Sequence, residues 1–269
     1  MSDQASRDGT GALGAPQPAR PEVLSLDLGD LRHALAVGWA DFRAHPLLGA
    51  FFAAVYVLGG WLLTYAFTAQ GQVWWTLPAA AGFPILGPFV ACGLYEISRR
   101  REAGEALVFP AILGAVARQK DRQIPSMAAV IVVFFLFWNF LSHMIFALFL
   151  GRATMQNVSS SLDVFLTAQG IGMLAFGTAV GAALATLLYA LTVVSLPMLM
   201  DDREVDFVTA MLTSMALVRE NPAVMLGWGA FIAVLLFAGM LPGFLGLFIV
   251  LPVLGHASWH LYRRAVHWA

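Results

Sequence analysis

Charge is scarce in this sequence. Only 12% of its 269 residues are Asp, Glu, Lys or Arg, against roughly 25% in an ordinary soluble domain. Cysteine is nearly absent. Cys92 is the single copy and sits in an apolar run, which excludes an intramolecular disulfide and a thiolate metal cage. Positive charge is not in excess, with 15 Lys+Arg against 16 Asp+Glu, so no nucleic-acid partner is expected. No Gly-rich phosphate loop, nucleophile elbow or pair of intramembrane carboxylates is present, so no enzyme class declares itself. What the chain does have is apolar surface: 59% hydrophobic residues, 20 Phe, 8 Trp and a mean hydropathy of +0.77. A soluble fold of this size has no interior large enough for them, because most of its residues touch water. The composition is that of an integral membrane protein with the lipid bilayer as its first partner.

Residues 1–27 are polar and rich in Gly, Ala and Pro over their first 22 positions, and they lack the apolar core of a signal peptide. They are expected to form a disordered cytoplasmic tail. Residues 28–264 are expected to form the membrane domain and 265–269 a short cytoplasmic end. A spanning helix needs about 20 mostly apolar residues. Four stretches contain no Asp, Glu, Lys or Arg: 44–95, 123–151, 164–200 and 221–262. The first accommodates two helices, Leu47–Ala69 and Leu77–Ser98, divided at Gln70-Gly71-Gln72. The second accommodates Ser126–Leu150. The third accommodates one long tilted helix, Gln169–Met200, bent at Pro197. The fourth accommodates Pro222–Gly239 and Leu241–Tyr262, with Leu241-Pro242-Gly243 as the turn. The expectation is six spans. Fourteen of the fifteen basic residues precede, separate or follow these spans on one side, and only Arg152 falls on the other. By the positive-inside rule both termini are cytoplasmic, and Trp74 and Trp75 mark the outer aromatic belt.

Three segments share a plan: an amphipathic cytoplasmic helix, a proline, then a hairpin of spans. The first is Leu28–His45 before Pro46, with Leu28, Leu31, Leu35, Trp39 and Phe42 at helical spacing. The last is Val205–Asn221 before Pro222, with Val208, Met211, Leu212 and Met215 on one face. The middle one is Ala106–Ile124 before Pro125, with Phe109, Ile112, Leu113 and Val116 aligned. Proline is well tolerated at the first position of a helix, where its missing N–H has no intrahelical partner anyway. The expected fold is therefore all-α: a polytopic membrane helix bundle of six spans in three hairpin-type repeats, each preceded by an interfacial amphipathic helix.

His256 and His260 stand i, i+4 on the sixth span and share a face, so they are the only candidate metal ligands. The Glu that a zincin would need between them is missing, so that protease class is excluded. Their expected place is the inner edge of the span, and no metal or other cofactor is expected. Glu96 is the one acidic residue near a span and is explained by Arg100 four residues on. Asn139, Ser142 and His143 form one polar intramembrane stripe, and Thr186, Tyr189 and Thr192 form another. Such stripes make interhelical hydrogen bonds. The acidic run from Asp201 to Asp206 reads as capping of the following helix rather than as a Mg²⁺ site, which would need a second cluster. Gly177, Gly181 and Ala185 make a small-residue ridge that permits close packing of another helix, from this chain, from a second copy or from another membrane protein.

Several motifs together point to a family. They are Phe42-Arg43-Ala44-His45-Pro46, Gly82-Phe83-Pro84-Ile85-Leu86-Gly87-Pro88, Phe134-Phe135-Leu136-Phe137-Trp138 leading to His143, Leu196-Pro197-Met198-Leu199, Val205–Ala210 and Leu251–His256. Across Leu31–Arg264 the chain resembles the bacterial integral membrane proteins called domain of unknown function 2189. The resemblance implies the bacterial inner membrane and supplies no catalytic residues. Three functions fit such a chain. The first is a non-catalytic membrane protein that packs with or assists assembly of other membrane components. The second is a transporter or channel for a small solute, and the third a haem- or metal-binding accessory of a respiratory complex.

Overall fold

The computed structural model describes residues 21–70, 76–154, 166–201, 203 and 205–268. The tail residues 1–20, Trp74 and Trp75, the side chain of Arg152, and Asp202 and Glu204 lie outside the described residues. Almost all of the rest is helix. Strand β1 (Pro21–Val23) is followed by α1 (Leu28–Ala44), α2 (Pro46–Gln70), α3 (Thr76–Glu102), α4 (Phe109–Arg118) and a 3₁₀ turn at Gln119–Asp121. Then come α5 (Ile124–Thr154), α6 (Ala168–Thr192), α7 (Ser195–Met200), α8 (Phe207–Glu220), α9 (Pro222–Met240), α10 (Leu247–Ala265) and β2 (Val266–Trp268). Among the described residues four segments are long and apolar enough to cross a membrane: Pro46–Tyr65, Ile124–Gly151, Ala168–Met200 and Pro222–Met240. The protein is thus an all-α membrane bundle. Of the other two expected spans, α10 carries His256, Ser258, His260, Arg263 and Arg264 in its second half, which dilutes its apolar content. Helix α3 is described only in part.

Residues 21–27, the end of the expected tail, are described in the structure. Pro21–Val23 pairs antiparallel with Val266–Trp268. The Leu26 N–H then donates to Oδ1 of Asn221 at 2.7 Å, while Asn221 Nδ2 donates to the Leu24 carbonyl at 3.1 Å. Strands of three residues are too short to show alternation, so composition alone reads them as coil.

Helix α1 opens on a reciprocal cap, with the Asp30 N–H on Asp27 Oδ1 at 3.0 Å and the Asp27 N–H on Asp30 Oδ2 at 2.9 Å. Helix α8 opens on Asp206, which accepts from the N–H groups of Val208 and Thr209. This is the capping role expected of the acidic run. Both helices end at a residue of similar backbone conformation, His45 (φ −140°, ψ 62°) and Asn221 (φ −124°, ψ 52°), and a new helix begins at the proline that follows. The α4 corner differs, with an uncapped Val108 at its start and a 3₁₀ turn at its end.

The faces that α1 and α8 turn into the bundle mix small and large residues. On α1 the buried residues are Leu31, Ala34, Gly38 and Asp41, and on α8 Ala210, Thr213, Ser214, Leu217 and Val218. Leu28, Trp39, Val208 and Leu212, from the expected apolar stripes, stay exposed. On α1 the small residues allow a close approach to α10. A Cβ at Gly38 would lie 2.6 Å from the Ala257 nitrogen, so only glycine allows the two backbones to meet there.

The third charge-free stretch bends as expected, but earlier than Pro197. Helix α6 ends at Thr192 and α7 begins at Ser195. Proline cannot donate to the carbonyl four residues back, and its ring clashes with that carbonyl, which here belongs to Val193. The turn between α9 and α10 runs to Gly246 and holds two consecutive positive-φ residues, Gly243 (62°) and Phe244 (68°). The principal core gathers at the end of the bundle where α1, α3, α7, α8 and α10 converge, around Tyr95, Met198, Leu217, Trp259 and Tyr262.

Candidate functional site

The helices meet at that end around a buried polar cluster. Asp41 comes from α1, Ser98 and Arg101 from α3, and His256 and His260 from α10. Asp41, Ser98 and His256 are 4%, 0% and 1% exposed. Asp41 Oδ2 accepts from Ser98 Oγ at 2.6 Å and from His260 Nε2 at 2.8 Å, while Arg101 Nη1 lies 3.4 Å from Oδ1. Nδ1 of His256 stands 2.8 Å from Ser98 Oγ and 3.1 Å from the Leu94 carbonyl. A carbonyl only accepts, and the single serine proton is directed to the carboxylate. Nδ1 of His256 therefore carries hydrogen and donates to both. By the same logic His260 carries its proton on Nε2. The result is one chain of polar contacts: His260, Asp41, Ser98, His256.

Burial pushes the Asp41 carboxyl upward, but the hydrogen bonds from His260 and Ser98 outweigh it and hold the group below the usual carboxylate range. A buried carboxylate left unpaired would cost several kcal/mol, on the order expected for a lone charge in a poorly solvated place. The partners on α3 and α10 offset that cost. In this way the cluster ties α1 to two helices that lie far from it in sequence.

The sequence-predicted residues fall into three places. His256 and His260 do share a face, and that face meets Asp41 and Ser98. His256 is deeply buried rather than at an open edge. Glu96 is buried and bonded to Arg99 Nε at 2.9 Å and to Arg100 Nε at 2.6 Å, the pairing anticipated from spacing. Ser142 and His143 bond back to their own helix, at the backbone carbonyl of Asn139: Ser142 Oγ donates to it at 2.9 Å, and His143 Nδ1 contacts it at 2.7 Å. Tyr189 alone among the stripe residues bonds another span, its hydroxyl donating to the Met225 carbonyl at 2.7 Å. Thr186 is exposed. Gly177 and Gly181 face α5, where a Cβ at 181 would stand 2.9 Å from the Trp138 ring and one at 177 would stand 3.9 Å from Ile145. The ridge therefore receives an aromatic side chain and not a second backbone. Apolar crevices of about 570 and 410 Å³ flank it, and Ala185 lines both.

Asp41, Ser98, Arg101 and a neighbouring set were not anticipated from sequence. In that set Trp259 Nε1 donates to Glu102 Oε2 at 2.8 Å, Arg263 Nε to Glu102 Oε1 at 3.0 Å, and the Tyr262 hydroxyl to Asp201 Oδ2 at 2.6 Å. Helical spacing offered one signal. Asp41 lies three residues from Gly38 and seven from Ala34, on the small-residue side of α1.

Among the described residues no group of three or more His, Cys, Asp or Glu side chains is arranged to hold a metal ion. No curated protein and no solved structure matches the chain. The family match is narrower than the resemblance drawn from motifs over Leu31–Arg264, leaving out Phe42–Pro46, Val205–Ala210 and Leu251–His256. Residues 76–201, which carry Glu96, Ser98 and Arg101 and run from the start of α3 to just past α7, match the model of a family described as predicted integral membrane protein (DUF2189).

Proposed function

We propose that the protein is a non-enzymatic multi-pass protein of the bacterial inner membrane that packs with other membrane components and assists their assembly. It crosses the bilayer six times with both termini in the cytoplasm, and its first and last hairpins are copies of one unit. The observation that carries this reading is the disposition of its polar groups. Asp41, Ser98, His256, His260, Glu96 and Glu102 are bonded to one another or to arginines. The two crevices beside the Gly177–Ala185 ridge are walled mainly by apolar side chains and open along α5 and α6. The polar chemistry is spent on holding the bundle, while apolar surface is offered sideways. The matching caps at Asp27 and Asp206, and the matching corners at His45-Pro46 and Asn221-Pro222, support the repeat. The exposed Leu28, Trp39, Val208 and Leu212 suit helices lying at a membrane interface.

Two measurements test the reading. In a Cys92→Ser background, cysteines placed between 155 and 165 should react with impermeant reagents from outside, and cysteines at 105 or 267 should not. The reverse pattern overturns the topology. A photo-crosslinking side chain at Phe140 or Leu148, both exposed on α5, should capture a defined membrane protein in cells. Crosslinks to lipid alone at both positions would overturn the assembly role.

A further inference from the structure

Next to the corner that leads into α5 lies a cavity of about 350 Å³ lined by Arg122, Gln123, Val205 and Asp206. Its walls belong to two segments at the ends of candidate spans: Arg122 and Gln123 directly precede Ile124, and Val205 follows Met200 by five residues. The cavity therefore sits at the depth where lipid headgroups sit, which rests on the span assignment proposed above. Among the described residues its lining presents one cation, Arg122, and one anion, Asp206, and the two do not form an ion pair with each other. Among the described residues Arg122 makes no ion pair and the Gln123 side chain makes no hydrogen bond. The arginines of α3 and α10 differ, with Arg99 and Arg100 on Glu96, Arg101 on Asp41, Arg263 on Glu102 and Arg264 on Asp30.

We propose that this cavity is a binding site for the headgroup of a zwitterionic aminophospholipid, phosphatidylethanolamine in chemical type, with the phosphate on Arg122 and Gln123 and the ammonium on Asp206. A guanidinium fork matches phosphate oxygens two at a time. The Asp206 carboxylate accepts from the Val208 and Thr209 N–H groups and from Thr209 Oγ1. About four lone-pair positions belong to a carboxylate, so one remains for an ammonium N–H. The hydroxyl bond of Thr209 and the backbone bonds hold this carboxyl below its ordinary range, so it is ionised at neutral pH. Arg118 and Lys120, exposed on the same corner, add positive potential without lining the cavity.

The test uses the full chain in nanodiscs of equimolar phosphatidylethanolamine and phosphatidylglycerol, followed by native mass spectrometry of the lipids that stay bound after transfer to mild detergent. The wild-type protein should retain phosphatidylethanolamine in preference. Asp206→Asn keeps the helix cap, because Asn caps as well as Asp, and should lower that preference about tenfold or more, the scale of one charge-assisted hydrogen bond. Arg122→Gln should lower retention of both lipids, and Arg118→Gln should change neither. The proposal falls if the wild type shows no preference, if both cavity variants behave as wild type, or if Arg118→Gln reproduces the loss. It also falls if phosphatidylcholine, which has no ammonium N–H, is retained equally well, or if soluble phosphoethanolamine at the lipid's concentration strips the adduct. A negative result with the expected cysteine-labelling pattern removes this site alone, whereas an inverted pattern removes the span assignment.

Discussion

Ser98 hands its proton to Asp41 across 2.6 Å and receives one from His256 across 2.8 Å, so a residue with no exposed surface links α1 to α10 through α3. Such a link matters more than its two bonds suggest, because removing either neighbour leaves Ser98, a fully buried hydroxyl, with half of its hydrogen bonding.

Asp41 gives the fold an acid-sensitive element. Its folded-state pKa lies below the unfolded value of about 3.9. The carboxylate therefore contributes stability that is present above that value and is lost as pH falls through the folded pKa. Thermal melts in detergent should show the wild type losing stability below about pH 4, and Asp41→Asn should flatten that limb. At neutral pH the substitution should cost about 1–3 kcal/mol. An unchanged acid limb would show that other carboxylates dominate it.

The two histidines should separate in their effects. His256 is buried and bonded to Ser98 and Leu94, whereas His260 meets Asp41 alone and is less enclosed. His256→Ala should destabilise by about 2–4 kcal/mol, combining a cavity with the loss of the hydrogen bond to the buried Ser98. His260→Ala should cost less. Neither change should remove a metal, since purified protein should contain no stoichiometric metal. Metal near one per chain, lost in the double variant, would favour the haem- or metal-binding alternative.

Two glycines should resist side chains for different reasons. Gly38→Leu would drive a side chain into the Ala257 backbone of α10, with no rotamer to relieve it. The expected outcome is poor folding, with Gly38→Ala already costing about 1–3 kcal/mol. Gly181→Ile meets the Trp138 ring, which has a crevice on either side. Its cost should stay within about 1–3 kcal/mol and should loosen α5 against α6. A melt and a crosslink between cysteines on those two helices would check both. Equal tolerance at the two sites would contradict the packing described.

Asn221 provides a fourth test. Its amide bonds Leu26 and Leu24 at once, so Asn221→Ala should free the segment before α1. Proteolysis near residue 24 should quicken, while Asn221→Asp, which keeps only the acceptor, should have a partial effect. Identical digestion rates in all three proteins would show that β1 is held by β2 alone.

Much of this architecture could be read from local pattern. Charge-free stretches located the long helices, prolines located the corners at 46 and 222, and spacing paired Glu96 with Arg100. These features depend on residues within a few turns of one another. Asp41 depends on partners 57 and 219 residues away, and no local pattern encodes such distances. The packed faces of α1 and α8 were also hidden, because close helix contact selects small residues. An amphipathic reading weights the large ones instead, and here several of those, Leu28, Trp39, Val208 and Leu212, face outward.

The joining of α1 to α10 has a consequence for how the protein is made. Helix α1 leaves the ribosome early, yet its partner helix and the strand that pairs with β1 come some two hundred residues later. During that interval Asp41 has no His260, Gly38 has no Ala257, and Pro21–Val23 is half of a sheet. Docking of α1 in its final place therefore waits on α10, a late step in maturation.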